Sequence, residues 1–117
     1  MNPETKIQQR IMLALSEAGC IVWRNETAGA YMGRVIHKAG DQVTISGARF
    51  LPAGLCKGSA DIIGVAPGGR FLAVEVKTPT GRVSKEQTLF LQAVTQRGGL
   101  AGVARSVEDA LALIGQG

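Results

Sequence analysis

Three ionisable residues stand where an apolar core ought to exclude them. Asp61 opens the run Asp61-Ile-Ile-Gly-Val-Ala66, and Glu75 and Lys77 interrupt Arg70-Phe-Leu-Ala-Val-Glu-Val-Lys77. Side chains alternate along a strand, so Glu75 and Lys77 point to one face, about 7 Å apart. Phe71 and Ala73 share that face, and Leu72, Val74 and Val76 share the other. Two carboxylates and a lysine converging at one edge of a buried sheet suit a hard cation such as Mg²⁺ or Mn²⁺. Such an ion polarises a phosphoryl oxygen and lowers the pKa of its water. A lysine beside it orients that water and stabilises charge on the phosphate. The same spacing also fits a plain Glu75–Lys77 ion pair on an edge strand, with Asp61 as a turn residue. The strand register decides between the two.

The elements that must position these residues are legible in the second half of the chain. Asp61–Ala66 reads as a strand, Pro67-Gly-Gly69 as a tight turn, and Arg70–Lys77 as the returning strand. Their near-continuous apolar residues predict central strands buried on both faces. Thr78–Val83 is a loop. Ser84 with Gln87 three residues later is a capping box, which predicts a helix over Lys85–Arg97. Gly98-Gly99 ends it, and Leu100–Arg105 is a short apolar strand. Ser106 caps a last helix, Val107–Ile114, with Glu108 and Asp109 in its first turn. The strand–helix–strand unit from Arg70 to Arg105 makes its two strands parallel, with a right-handed crossover.

The first half opens with a helix over Pro3–Ala18, capped by Asn2, with Pro3 at its first position. Ile7, Ile11, Ala14, Leu15 and Ala18 recur at helical spacing, and Gly19 ends the run. Cys20–Arg24 is a short strand. From Asn25 to Ser59 six glycines punctuate the chain. Arg34–His37 and Gln42–Ile45 are short strands, read as a hairpin. Ala48–Leu51 is a further short strand, and Pro52 breaks what precedes it. The whole is read as one α/β domain over residues 1–117, a mixed sheet flanked by helices.

Composition bounds the partners. The 117 residues suit one domain and are 45% hydrophobic but only 4% aromatic, so the core is aliphatic. A net charge of +4 permits a polyanion without demanding one. No apolar run is long enough to span a membrane, and no secretory signal is visible. Cys20 and Cys56 belong to no CxxC or His/Cys cluster, which fits a reducing cytoplasm; a single buried disulfide is the alternative. The lone His37 excludes a His-rich zinc site and is read as structural.

Taken together, Gly58-Ser-Ala-Asp61, the following hairpin and Glu75-Val-Lys77 resemble the signature of the PD-(D/E)XK nuclease superfamily. Arg24-Asn25, Gly81 after the lysine and Gln87 at the next helix start resemble the VRR-NUC family, in particular its small stand-alone members from phages and bacteria. The resemblance runs from about Glu4 to Ile114 and is weakest between Ala28 and Leu51. It implies a PD-(D/E)XK-like fold and a metal-dependent DNA endonuclease in the cytoplasm of a bacterium, encoded by it or by its phage. Asp61 and Glu75 would bind Mg²⁺ or Mn²⁺ with the backbone carbonyl of Val76. Lys77 would be the catalytic lysine, and Gln87 would hold the lysine or a phosphate. A first-helix acid of the family matches Glu4. Stand-alone members act as homodimers on branched DNA such as four-way junctions, and two symmetric cuts need two sites related by a two-fold axis. Where many relatives carry Pro before the aspartate, this chain has Ala60, and the stretch from Ala30 to Ala53 is longer than in the shortest relatives.

Further candidates surround that site. Lys57 and Arg82 flank it in loops and suit phosphate contact, which is salt-dependent and blind to sequence. Arg24 and Asn25 would touch the DNA backbone or merely close the strand, and the resemblance favours DNA; Ser59 is expected among the nucleic-acid contacts. Trp23 and Tyr31 are expected to pack in the core rather than stack on bases. On the first helix, Glu4 lies within about 40° of the centre of the apolar face, and Glu17 roughly 100° to 120° away. Glu4 is therefore expected at the inward edge, where a carboxylate needs a partner such as the cation; the alternative is an exposed role in which it complements the helix dipole in the first turn.

Overall fold

The computed structural model describes residues 1–26, 29–52 and 54–115. Helix α1 (Pro3–Glu17) leads into strand β1 (Ile21–Arg24). Strands β2 (Ala30–Ala39) and β3 (Gln42–Leu51) follow, then β4 (Ile62–Val65) and β5 (Phe71–Val76). Helix α2 (Lys85–Gln96), strand β6 (Leu100–Ala104) and helix α3 (Val107–Leu113) complete the order. The expected caps are in place. Asn2 accepts from the Thr5 amide at 2.8 Å, and Ser106 accepts from the Asp109 amide at 3.1 Å. The capping box of Ser84 and Gln87 is complete in both directions.

The main sheet runs β1-β4-β5-β6. The first two pairings are antiparallel and β5–β6 is parallel, as a strand–helix–strand unit requires. Alternation along β5 divides the core. Leu72, Val74 and Val76 are buried with Ile11, Leu15, Ile62 and Ala110 under α1 and α3. Ala73 is buried on the opposite face with Ile63 and Leu91, under α2. β4 and β5 are thus the central strands that their apolar runs predict. Helices on both faces and a mixed sheet make the fold α/β.

Three expectations need correction. Asp61 precedes β4 rather than belonging to it. Arg34–His37, Gln42–Ile45 and Ala48–Leu51 are parts of two ten-residue strands, β2 and β3. Bulges between Met32 and Arg34 and between Val35 and His37 interrupt the ladder, so the pattern looked like short pieces. Trp23 and Tyr31, expected in the core, are 49% and 69% exposed. β1 is an edge strand and β2 lies in a separate two-stranded sheet, so neither ring has a layer above it. Cys20 is buried, Cys56 is exposed, and neither is in a disulfide. No helix among the described residues is long and apolar enough to cross a membrane.

Candidate active site

The β4–β5 register supplies what the sequence withholds. Ile62 pairs with Val74 and Ile63 with Ala73. One residue further back, Asp61 is level with Glu75, on the α2 side of the sheet. Asp61 Oδ2 accepts from the Val76 amide at 2.9 Å, so the carboxylate is tied to the end of β5. The Val76 side chain is buried on the other face, and only its backbone is available here.

Three contacts hold Asp61 from behind. The Asn25 amide N–H donates to the Asp61 carbonyl at 2.8 Å. The Asn25 side chain donates to Ser59 Oγ at 2.7 Å and to the Ala60 carbonyl at 2.9 Å. Ser59 is only 7% exposed. Asn25 and Ser59 were expected among the nucleic-acid contacts; the structure gives them a positioning contact under the Asp61 loop. Gly58 adopts φ +86°, and a Cβ there would fall 2.7 Å from Glu86 Cβ. That position needs glycine both for its backbone and for the close approach of the loop to α2.

Glu75 is the buried centre, 2% exposed. Gln87 Nε2 donates to Glu75 Oε1 at 3.0 Å. The opposite end of the same amide, Oε1, accepts from the Ser84 backbone at 2.8 Å. The capping box therefore fixes which end of Gln87 faces the carboxylate. Lys77 Nζ stands 3.8 Å from Glu75 Oε1, with its side chain 16% exposed. Burial, then the Asp61 carboxyl as hydrogen-bonding partner and as charge, push Glu75 up from 4.5 to about 8; Lys77 opposes this, and Glu4 adds to it. Among the described residues no N–H or hydroxyl donor reaches the buried Glu75 Oε2, so the ionised carboxylate has nothing to accept from there. An ionised carboxylate left so is costly.

This set fits a hard divalent cation. The donors are carboxylate oxygens, one of them orphaned, beside a second acid that repels the first. Asp61 and Glu75 are the side chains able to hold it. Among the described residues no three His, Cys, Asp or Glu side chains converge, so further oxygens must come from main chain, water or substrate.

The other expected site residues are more dispersed. Glu4 is exposed rather than at a buried edge. It lies on the same helical face as Ile11 and Leu15, two and three turns upstream. Its charge reaches Glu75, whereas Glu17 is not among the charges that act there. Arg24 is exposed and pairs with Glu26 at 3.0 Å. Lys57 and Arg82 are exposed in the loops before Asp61 and after Lys77.

One residue escaped the sequence reading. Arg105, at the end of β6, donates to the Gly81 carbonyl at 2.8 Å and also to that of Thr78. It ties down the loop that follows Lys77, and Gly81 packs near the Lys77 stem. The available signal was an arginine ending the strand parallel to the one that carries the lysine.

Comparison with curated proteins finds no match. A solved structure described as a VRR_NUC domain superposes with a TM-score of 0.60 at 16% identity, covering 98% of this chain and 97% of that one. At that identity the likeness concerns the fold. The family model of the VRR-NUC domain matches residues 2–108, nearly the whole chain, and the chain therefore belongs to the VRR-NUC family, a nuclease-type domain.

Proposed function

We propose that this protein is a Mg²⁺- or Mn²⁺-dependent endonuclease that hydrolyses DNA phosphodiester bonds, with branched DNA such as a four-way junction as its substrate and a homodimer as its working form. The observation that carries the chemistry is Glu75, buried against Asp61 with Oε2 unpartnered. A module that only binds DNA has no use for two carboxylates near a polyanion. The preference for branched DNA and the dimer follow the family resemblance and the symmetry of paired cuts.

Asp61 and Glu75 would hold the cation, joined by the Val76 carbonyl. When bound, it supplies Lewis-acid activation of the phosphate and of the attacking water. Lys77 stabilises charge that develops on the phosphate and orients the water. Gln87 holds Glu75 in one rotamer, so the site is organised before substrate arrives. Lys57, Arg82 and Arg24 neutralise phosphates around it, which makes binding salt-dependent.

The test is cleavage of labelled DNA and RNA, each with Mn²⁺, with Mg²⁺ and with EDTA. DNA cleavage abolished by EDTA and restored by Mn²⁺ is the expected result. Cleavage that persists in chelator refutes the metal, RNA cleavage redirects the substrate, and binding without any cleavage makes the chain a DNA-binding subunit.

Glu4 has a more graded role. Its carboxylate acts on the cation at longer range, through a water or through charge alone. Glu4→Gln is expected to lower activity several-fold and to raise the Mg²⁺ concentration needed for half-maximal rate. Glu17→Gln, at the far end of α1, is expected to do neither. If Glu17→Gln is the damaging change, the acidic end of the helix has been misassigned.

A further inference from the structure

Among the described residues, the β2–β3 hairpin is an arm that no other element packs against. Each strand has ten residues, and every residue of the two is exposed except Ile45, which is half-buried. Among the described residues neither strand packs on a helix or on the main sheet to any extent, and the molecule is drawn out to 52 × 29 × 29 Å. An isolated two-stranded hairpin is at best marginally stable in water. Something must cover it.

The register divides the arm into two unlike faces, because directly paired residues share a face. Tyr31 pairs with Phe50, Val35 with Ile45 and Lys38 with Val43 on one face. Tyr31 and Phe50 meet edge to face with centroids 5.3 Å apart, although they are 69% and 50% exposed. The opposite face pairs Met32 with Arg49, Arg34 with Ser46 and His37 with Thr44. The first face is apolar up to Lys38 near its tip, so it offers little to a polyanion. The second carries the arm's arginines.

The main sheet has a matching vacancy. On its α2 side, Ile21 pairs with Val65, and Val65 with Phe71. Trp23 lies on the same side of β1. Helix α2 covers Ile63 and Ala73 in the middle of this face and leaves its β1 edge and its Val65–Phe71 end open. Ile21 is 70% exposed, Trp23 49% and Phe71 40%. One chain thus carries two unpartnered apolar sheet faces of like chemistry, on separate parts of the fold.

We propose that the arm's Tyr31–Val35–Ile45–Phe50 face docks on the Ile21–Trp23–Val65–Phe71 face of a second copy of this chain, and reciprocally. The occupant is a second copy because the chain itself carries the receiving surface, and the two surfaces are complementary through a two-fold axis. The area agrees. A face of two ten-residue strands measures roughly 33 by 10 Å. Two such dockings bury on the order of 1,300 Å², within the range of stable interfaces. The arginine face is left outward. This assignment rests on the dimer in the reading above and not on its chemistry.

The experiment is light scattering on the full chain without DNA or metal, at micromolar and high micromolar concentration. The wild type is expected at twice the 12.2 kDa chain mass. Val35→Asp with Ile45→Asp, and separately Ile21→Asp, are expected at the single-chain mass with the main thermal transition retained. The milder Tyr31→Ser with Phe50→Ser serves if an aspartate variant does not fold, with the same expectation. Arg34→Ala with Arg49→Ala is expected to remain dimeric. A monomeric wild type overturns both the dimer and this assignment. A dimer that survives the arm variants overturns the assignment alone, as does one that survives Ile21→Asp or is broken by the arginine variant. None of these outcomes bears on whether the protein cuts DNA.

Discussion

Lys77→Ala is expected to lower DNA cleavage by a factor of about 10² or more while leaving DNA affinity within a few-fold of wild type. The lysine belongs to a strand end, which fixes its origin. Its amide donates to the Ala104 carbonyl at 3.1 Å, and the loop after it is tied to Arg105. Its Nζ lies 3.8 Å from Glu75 Oε1, so its charge is concentrated at the acid cluster. On the proposed function, a group so placed would act on charge that grows in the transition state, with ground-state binding spread over exposed loop cations instead. Arginine is a poor substitute, because its planar fork cannot occupy the place of a compact ammonium. The same substitution has a second signature. Lys77 is the one nearby charge that lowers the Glu75 pKa, so its removal raises that pKa further. Residual activity should therefore shift its pH profile upward. Single-turnover cleavage and fluorescence anisotropy on the same DNA check both points. Equal losses in binding and cleavage make Lys77 a phosphate-docking residue.

How much of this was readable in advance follows from the range of each interaction. Local signals carried far: the Ser84–Gln87 capping box, the Asn2 cap and the alternation of β5 are all encoded within a few residues, and all are present. Glu75 and Lys77 share a face for the same local reason. What lay beyond reach was register. Nothing within Asp61–Lys77 states that Ile62 meets Val74, yet that pairing brings Asp61 level with Glu75. The partner of Gln87 was hidden likewise: the resemblance gave it the lysine or a phosphate to hold, and only the packing of α2 on β5 turns its free end toward Glu75. Asn25 and Ser59 are 34 residues apart, so no local signal announces their contact. The arm was misread for an opposite reason. Its glycines and bulges broke the alternation that marks a strand, and its apolar residues implied a core that the monomer does not provide.

In the absence of metal, wild-type stability is expected to fall as pH rises, and Glu75→Gln is expected to be the more stable protein at alkaline pH. Glu75 titrates at 4.5 when unfolded and is pushed up to about 8 in the fold, first by burial and then by Asp61. Between these values the folded state holds a proton that the unfolded state has lost. Unfolding then releases a proton, so higher pH favours the unfolded chain. The contribution is fully present below 4.5 and is lost as pH passes through about 8. Its size is on the order of a few kcal/mol, a large fraction of the stability of a small domain. A glutamine at position 75 keeps an acceptor for Gln87 Nε2 but has no charge to bury, so its stability profile should be flat through this window. Divalent cation should act in the opposite sense. It favours the ionised pair and stabilises only the folded state, so Mg²⁺ should raise the wild-type melting temperature most at alkaline pH and leave Glu75→Gln nearly unmoved. Thermal unfolding of both proteins in EDTA and in Mg²⁺, from about pH 5 to about pH 9, reads all four curves. If Glu75→Gln is no more stable than wild type in EDTA at the alkaline end, Glu75 is ionised without penalty. Its unpartnered oxygen would then be no mark of a cation site.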